Sequence, residues 1–333
     1  MLALGMTFVI ISGGIDLSVG SVFALGGVLA GWGVNHGGIP VAVGLPLACG
    51  AALGTTHGLL ITRARLAPFI VTLAGLLFAR GFLQAISKEG STTYLVPPGS
   101  AFLALGRGTW VAFITAVALF GAGAVLLLRT RFGQALFAIG GSEPAAMLMG
   151  VPVTRAKTLV YTLSGVLAAG AGMLNAARLQ SGVNNIGAGY ELTAIAAVII
   201  GGTLLSGGSG SILGTASGVL LLAMILNLIG VHVSEYGSSA SDLVNGAFLA
   251  VVVLLQTALS GDDGCPDRRP EPGGARRRTG HLEVLRKAVP DDSRHQRLIC
   301  AGRMVWERRP FAAHKAARAY ADNKATTAHP AAS

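Results

Sequence analysis

An all-α, polytopic membrane helical bundle is the fold this sequence predicts, on three observations. Hydrophobic residues make up 52% of the chain and charged residues only 12%, whereas a soluble domain carries about 25% charged residues. Apolar runs near the roughly 20 residues needed to cross a hydrocarbon core recur along the sequence. Many of the 48 glycines lie inside those runs, without a fixed period, as in membrane helices whose backbones approach closely.

The runs fall near 1–12 (partial), 17–35, 40–62, 66–87, 109–128, 158–178, 190–203, 211–230 and 242–259. That predicts about nine spans in a transmembrane domain over residues 1–260. Met1 opens inside an apolar run, "MLALGMTFVII", with no basic leader or cleavage site. The expectation is a start that lacks at least one upstream span. Past Ser260 the chain turns Pro-, Gly- and Arg-rich, as in "GDDGCPDRRPEPGGARRRTG". Such composition buries too little apolar area to offset ordering entropy, so 261–333 reads as a basic, disordered cytoplasmic tail.

Charge sets the orientation. Residues 1–260 carry 10 of the 25 Lys and Arg, and the tail carries the other 15. Within the body, Arg63 and Arg65 lie between two spans, and Arg129, Arg131, Arg155 and Lys157 bracket the next connection but one. Placing these basic loops in the cytoplasm makes all the spans alternate. The loops 88–108 and 179–189 then face outward. Arg80, near the outer end of its span, is expected to snorkel to the interface.

"VIISGGIDLSVGSV" at 9–22 is a membrane run broken by Gly13 and Gly14 and carrying Asp16. A carboxylate inside a bilayer costs several kcal/mol, so it normally faces a cavity, a partner or water. One reading has Asp16, Ser18 and Ser21 lining a solute path, with Asn175 as a further polar position in a span. The other has Asp16 capping the helix that follows by accepting from the amides of 17–20. The two are compatible. The stretch is echoed by "VIIGGTLLSGGSGSI" at 198–212, broken at Gly207 and Gly208. Interrupted hydrophobic segments at matching positions in two halves point to a transporter binding site.

Other chemistry is poorly supported. "LSGGS" at 205–209 looks like a signature of ATP-binding-cassette ATPases, but the chain holds no Gly-Lys pair for a phosphate-binding loop. His232 and Glu235 have no third metal ligand nearby, and Cys49, Cys265 and Cys300 have no metal-like spacing. No metal site, no catalytic constellation and no nucleic-acid partner is predicted. An ion-coupled secondary transporter of a small polar solute is the rival class. It needs relay charges within spans, and only Asp16 qualifies clearly.

"GMTFVIISGGIDLSVGSVFALGG", "APFIVTLAGLLFARG", "TRFGQALFAIGGSEPAAMLMGV" and "YELTAIAAVIIGGTLLSGGSGSILGT" resemble the permease subunits of bacterial ABC monosaccharide importers. That is the ribose, xylose, arabinose and galactose group, with wording closest to galactofuranose-type permeases. The resemblance covers about residues 1–259. It implies a ten-helix permease of the bacterial inner membrane and pairing with a second permease subunit. Cytoplasmic ATPase subunits that bind the ATP and a periplasmic or lipoprotein sugar-binding protein are implied as partners. The family's ATPase-contacting loop maps onto Gly141, Ser142, Glu143, Ala145, Ala146 and Gly150. Two departures stand out: family members carry one more N-terminal span, and their C-termini are short. From the residues alone, 142–150 reads as a short helix opened by Ser142, Glu143 and Pro144 and stopped near Gly150 and Pro152.

Overall fold

The computed structural model describes residues 1–90 and 92–232, together with Gly246, Ala247, Ala250 and Leu254. The predicted span 242–259, apart from those four positions, lies outside the described residues. So do the tail 261–333, Glu235, Cys265 and Cys300. The helices are α1 (Leu2–Ile11), α2 (Val19–Thr62), α3 (Pro68–Ile86), α4 (Thr109–Arg129), α5 (Arg131–Gly141), α6 (Glu143–Leu148), α7 (Val153–Leu179), α8 (Tyr190–Ile200) and α9 (Ile212–His232). Two short strands, β1 (Tyr94–Leu95) and β2 (Ser181–Gly182), and a 3-10 turn at Ala101–Leu105 complete the described elements.

Among the described residues, α2, α3, α4 and α7 are long and apolar enough to cross a membrane, while α1, α8 and the apolar part of α9 are shorter. The expected count of nine is therefore not what helix length alone returns. Part of the difference lies in α2. At 1.5 Å per residue its 44 residues would run about 66 Å, roughly twice a hydrocarbon core. Gly38 takes φ 69° and ψ −159°, a conformation that suits only glycine, and the chain reverses there. The first limb climbs α7, with Gly26 against Ala169 and Gly31 against Gly182. The second descends it, with Gly50 against Gly165, Gly54 against Tyr161 and Gly58 against Thr158. The predicted spans 17–35 and 40–62 are these two limbs.

The α2–α7 contact is the most extensive in the fold. Gly50, Gly54 and Gly58 recur every four residues and so share one helix face, which lets the backbones meet. In lipid, helices associate through such close packing and through interhelical hydroxyl bonds. The Thr55 and Thr162 hydroxyls supply one at 2.9 Å. Around this spine sit large apolar side chains of α3 and α4, including Phe69, Ile70, Leu77, Phe78, Trp110 and Phe113, that face outward from the bundle. That is what a lipid-facing surface requires.

The two ends differ. At the predicted outer end, Tyr94 pairs with Gly182 and Leu95 with Ser181 in an antiparallel ladder, and Val96 N donates to Gln180 O at 2.9 Å. The loops 88–108 and 179–189 thus share one face, as the charge pattern requires. Phe102 and Leu103 of the 3-10 turn are buried with Met173, Ala176 and Ala177 of α7. Arg80 does not simply reach for the interface. It donates to the carbonyls of Asn184 and Ile186 at 3.3 and 3.2 Å, on a loop that turns inward. Gly187 of that loop packs against Gly20 and Phe23.

At the other end, Thr62 lies beside Thr158, so Arg63 and Arg65 join Arg155 and Lys157 on one face. The connection 129–157 is more ordered than the sequence suggested. It holds α5, whose N-cap Thr130 accepts from Gly133 N and which buries Leu136 and Ile139 with Leu4, Phe8 and Ile11 of α1.

Candidate functional site at two paired helix breaks

Both interrupted helices are present. α1 stops at Ile11 and α2 starts at Val19; α8 stops at Ile200 and α9 starts at Ile212. Gly13, Gly207 and Gly208 hold φ values of 76°, 84° and 75°, where a side chain is disfavoured. The structure brings the breaks together. Gly208 N donates to Ile11 O at 2.9 Å, and the backbone of Gly207 packs on Gly13. One turn away, the buried Thr7 and Thr215 hydroxyls bond at 2.9 Å. Non-helical backbone at membrane depth must find its own partners, and it does. Gly13 N and Gly14 N donate to Ile10 O and Val9 O, and Gly207 N donates to Leu204 O.

Asp16, in the first break, is 1% exposed. Its Oδ1 accepts from Ser18 N at 3.0 Å and Ser18 Oγ at 2.6 Å, and its Oδ2 accepts from Ser164 Oγ of α7 at 2.8 Å. Ser18 is the N-cap of α2, so the carboxylate secures the amide at the entry of that helix. Ser18 Oγ also lies 3.5 Å from His57 Nδ1 on the second limb of α2. Tyr161 packs its hydroxyl against Gly14 and, among the described residues, that oxygen has no hydrogen-bond partner. Five polar side chains from three segments therefore converge on the first break. Ser164, His57 and Tyr161 were not foreseen; they lie in apolar spans distant in sequence from Asp16, and only the fold brings them to it.

A cavity of about 740 Å³ opens between α4, α7, α8, α9 and the start of α1. Its wall is rich in alanine, and its polar positions include Thr115, Asn175, Arg178 and Thr193. Of the four predicted pathway residues, Asn175 lies on this wall. Asp16, Ser18 and Ser21 are buried in the core and do not line it. Glu191, in the first turn of α8, accepts from Gly189 N at 3.3 Å and lies against Gly20.

The short α6 sits at the basic end. Ser142 is its N-cap and accepts from Ala145 N at 3.4 Å, while Glu143 ion-pairs with Lys157 of α7. Ala146 is buried, and Gly150 leaves the helix with φ 78°. A Cβ on Gly141 would meet nothing. Met147, Leu148 and Met149 stand out of the surface, with Leu148 90% exposed. Among the described residues, nothing covers this apolar tip. Among the described residues, no group of three potential metal ligands occurs.

Comparison with known proteins is consistent along the chain. The family model described as branched-chain amino acid transport system / permease component matches residues 1–255. The ribose import permease protein RbsC of Bacillus subtilis (strain 168) is 42% identical over 263 residues, covering 77% of this chain and 80% of the relative. The inner membrane ABC transporter permease protein YjfF of Escherichia coli (strain K12) is 38% identical over 274 residues, covering 78% and 80%. The fructose import permease protein FruG of Bifidobacterium longum (strain NCC 2705) is 35% identical over 281 residues, covering 78% and 79%. No solved structure matches the chain.

Proposed function

The chain belongs to the family described as branched-chain amino acid transport system / permease component, and from that premise we propose that it is the membrane permease of an ATP-binding-cassette importer for a monosaccharide. It resides in the bacterial inner membrane and is a transport protein rather than an enzyme. The observation that carries the sugar reading is the identity of 35–42% with permeases named for ribose and fructose.

The chemistry of the cavity agrees. An amino acid would need fixed charges for both its carboxylate and its ammonium group, and among the described residues the wall offers Arg178 but no Asp or Glu. A neutral sugar needs hydroxyl and amide partners, of the kind Thr115, Asn175 and Thr193 present on the wall. A permease fed by a binding protein requires no tight site of its own.

ATPase and substrate-binding partners follow from the importer class. In our reading the cytoplasmic ATPase subunits hold the ATP and receive α6, with Ser142 and Glu143 fixing the helix and the exposed Met147, Leu148 and Met149 entering the partner. A second permease subunit and an external sugar-binding protein complete the assembly. Closure of the ATPases on ATP then moves α5 and α6 and switches access to the cavity.

Uptake by proteoliposomes tests the proposal. The expected result is accumulation of one labelled sugar from a panel of ribose, fructose and galactofuranose, requiring both internal ATP and the binding protein. Uptake driven by a proton gradient alone would overturn it and favour an ion-coupled transporter.

A further inference from the structure

On its N-terminal side α6 follows Gly140 and Gly141, the last two residues of α5. Gly140 lies at the meeting of both helix breaks. A Cβ built on it would overlap the Ile11 carbonyl oxygen of the first break and the Gly208 nitrogen of the second. These are the two atoms that hydrogen-bond to each other at 2.9 Å. From the other side, a Cβ on Gly208 would come within 2.8 Å of Gly141 N. Gly13 lies alongside, in van der Waals range of the Gly140 Cα. Three separate backbone segments therefore touch with no side chain between them.

We propose that Gly140 is a positioning residue that passes movement of α6 directly into the two helix breaks. This rests on the reading of α6 as the ATPase-facing element. The physical basis is stiffness. Flexible side chains between α5 and the breaks would absorb a small displacement, whereas closely packed backbone transmits it. The junction is also held by Leu136 and Ile139 of α5 packed on α1. A shift of the α5 terminus must therefore carry Ile11 and Gly208 with it. Gly121 of α4, away from the ATPase-facing loop, supplies an internal comparison because its own Cβ position is open.

The test uses the whole transporter reconstituted with its ATPase and binding protein. Gly140→Ala is expected to lower sugar uptake by about tenfold or more, the size of a typical coupling between sites. ATPase subunits should still co-purify, and ATP hydrolysis should lose its stimulation by the binding protein. Gly121→Ala should behave as the unmodified protein. Coupled, normal uptake by Gly140→Ala overturns the proposal, as does a loss that merely follows a lower yield of folded complex. A second measurement is independent of that variant's folding. Spin labels on Gly141→Cys and Leu205→Cys, with Cys49, Cys265 and Cys300 replaced by serine, report the distance from the α5 terminus to the second break. That distance should hold within about 2 Å between nucleotide-free and ATP-trapped states, while a change of about 5 Å, one helical turn, would separate the elements and sink the idea. If the unmodified transporter shows no ATP-dependent uptake, the importer reading fails instead, and the two failures are told apart.

Discussion

The Asp16 carboxylate accepts a hydrogen bond from Ser164 Oγ at 2.8 Å, deep in the bundle and 148 positions apart in sequence. This one bond ties the first helix break to α7, the helix against which both limbs of α2 pack. Ser164→Ala leaves Oδ2 buried without that donor, so the expected loss is about 1–3 kcal/mol, seen as a lower melting temperature in detergent. Asp16→Asn keeps an acceptor toward Ser18 and should lose less than Asp16→Ala. An Asp16→Ala protein with unchanged melting and uptake would remove both the capping role and any part in a solute path.

The α2–α7 spine should tolerate no side chain at its centre. A Cβ on Gly54 would overlap the Tyr161 carbonyl, whereas one on Gly44 meets nothing. Gly54→Val should destabilise by about 1–3 kcal/mol or more through overpacking, and Gly44→Ala should be neutral. Thermal unfolding of the two purified variants side by side decides the matter; equal melting would contradict the packing.

The pair Glu143–Lys157 joins α6 to α7, with side-chain exposures of 41% and 11% respectively. Breaking a fully buried pair costs about 3–5 kcal/mol, but solvent at Glu143 reduces this, and about 1 kcal/mol is the expected effect of Glu143→Gln. Because the bond orients α6, the larger consequence should be weaker co-purification of the ATPase. Retained co-purification at wild-type yield would show that α6 is held by its cap and Ala146 alone.

Leu148 contributes little to the chain's own packing, being 90% exposed. Leu148→Asp should therefore leave the stability within about 0.5 kcal/mol of wild type, as for other surface changes. ATP-driven uptake should nevertheless be lost. Normal uptake with this variant would place the ATPase contact elsewhere.

Orientation has a direct readout. With native cysteines replaced, a membrane-impermeant thiol reagent added outside whole cells, with the outer membrane permeabilised where there is one, should label Leu95→Cys and spare Leu148→Cys. The opposite pattern would invert the topology drawn from Arg63, Arg65, Arg129, Arg131, Arg155 and Lys157.

Much of this architecture is legible in the sequence because membrane helices announce themselves by length and apolarity. The gap left between the predicted spans 17–35 and 40–62 contains Gly38, where the chain reverses. The internal echo correctly marked segments that stop and resume. Periodicity says nothing, however, about which breaks touch, and the bond from Gly208 to Ile11 had no local signal. α5 was passed over because it is short and flanked by arginines, although Phe132, Leu136 and Ile139 repeat at helical spacing. The sequence marks Asp16 as a cap for the amides of 17–20, whereas its carboxylate accepts from the amide of Ser18, itself the N-cap, and α2 has no side-chain cap bond; Ser164, His57 and Tyr161 come from distant spans. Arg80 looked like an interface residue because its acceptors, the carbonyls of Asn184 and Ile186, lie on a loop whose inward turn no residue pattern foretells.

The ladder between Tyr94 and Gly182 also fixes an order of events during biosynthesis. The first strand leaves the ribosome with α3, but its partner cannot reach the far side until α7 has been inserted. Until then Tyr94 and Leu95 wait with open main-chain groups in external water, which can satisfy them. The outer seam of the bundle thus waits for the insertion of α7, and a ribosome stalled before that helix leaves the first strand without its partner.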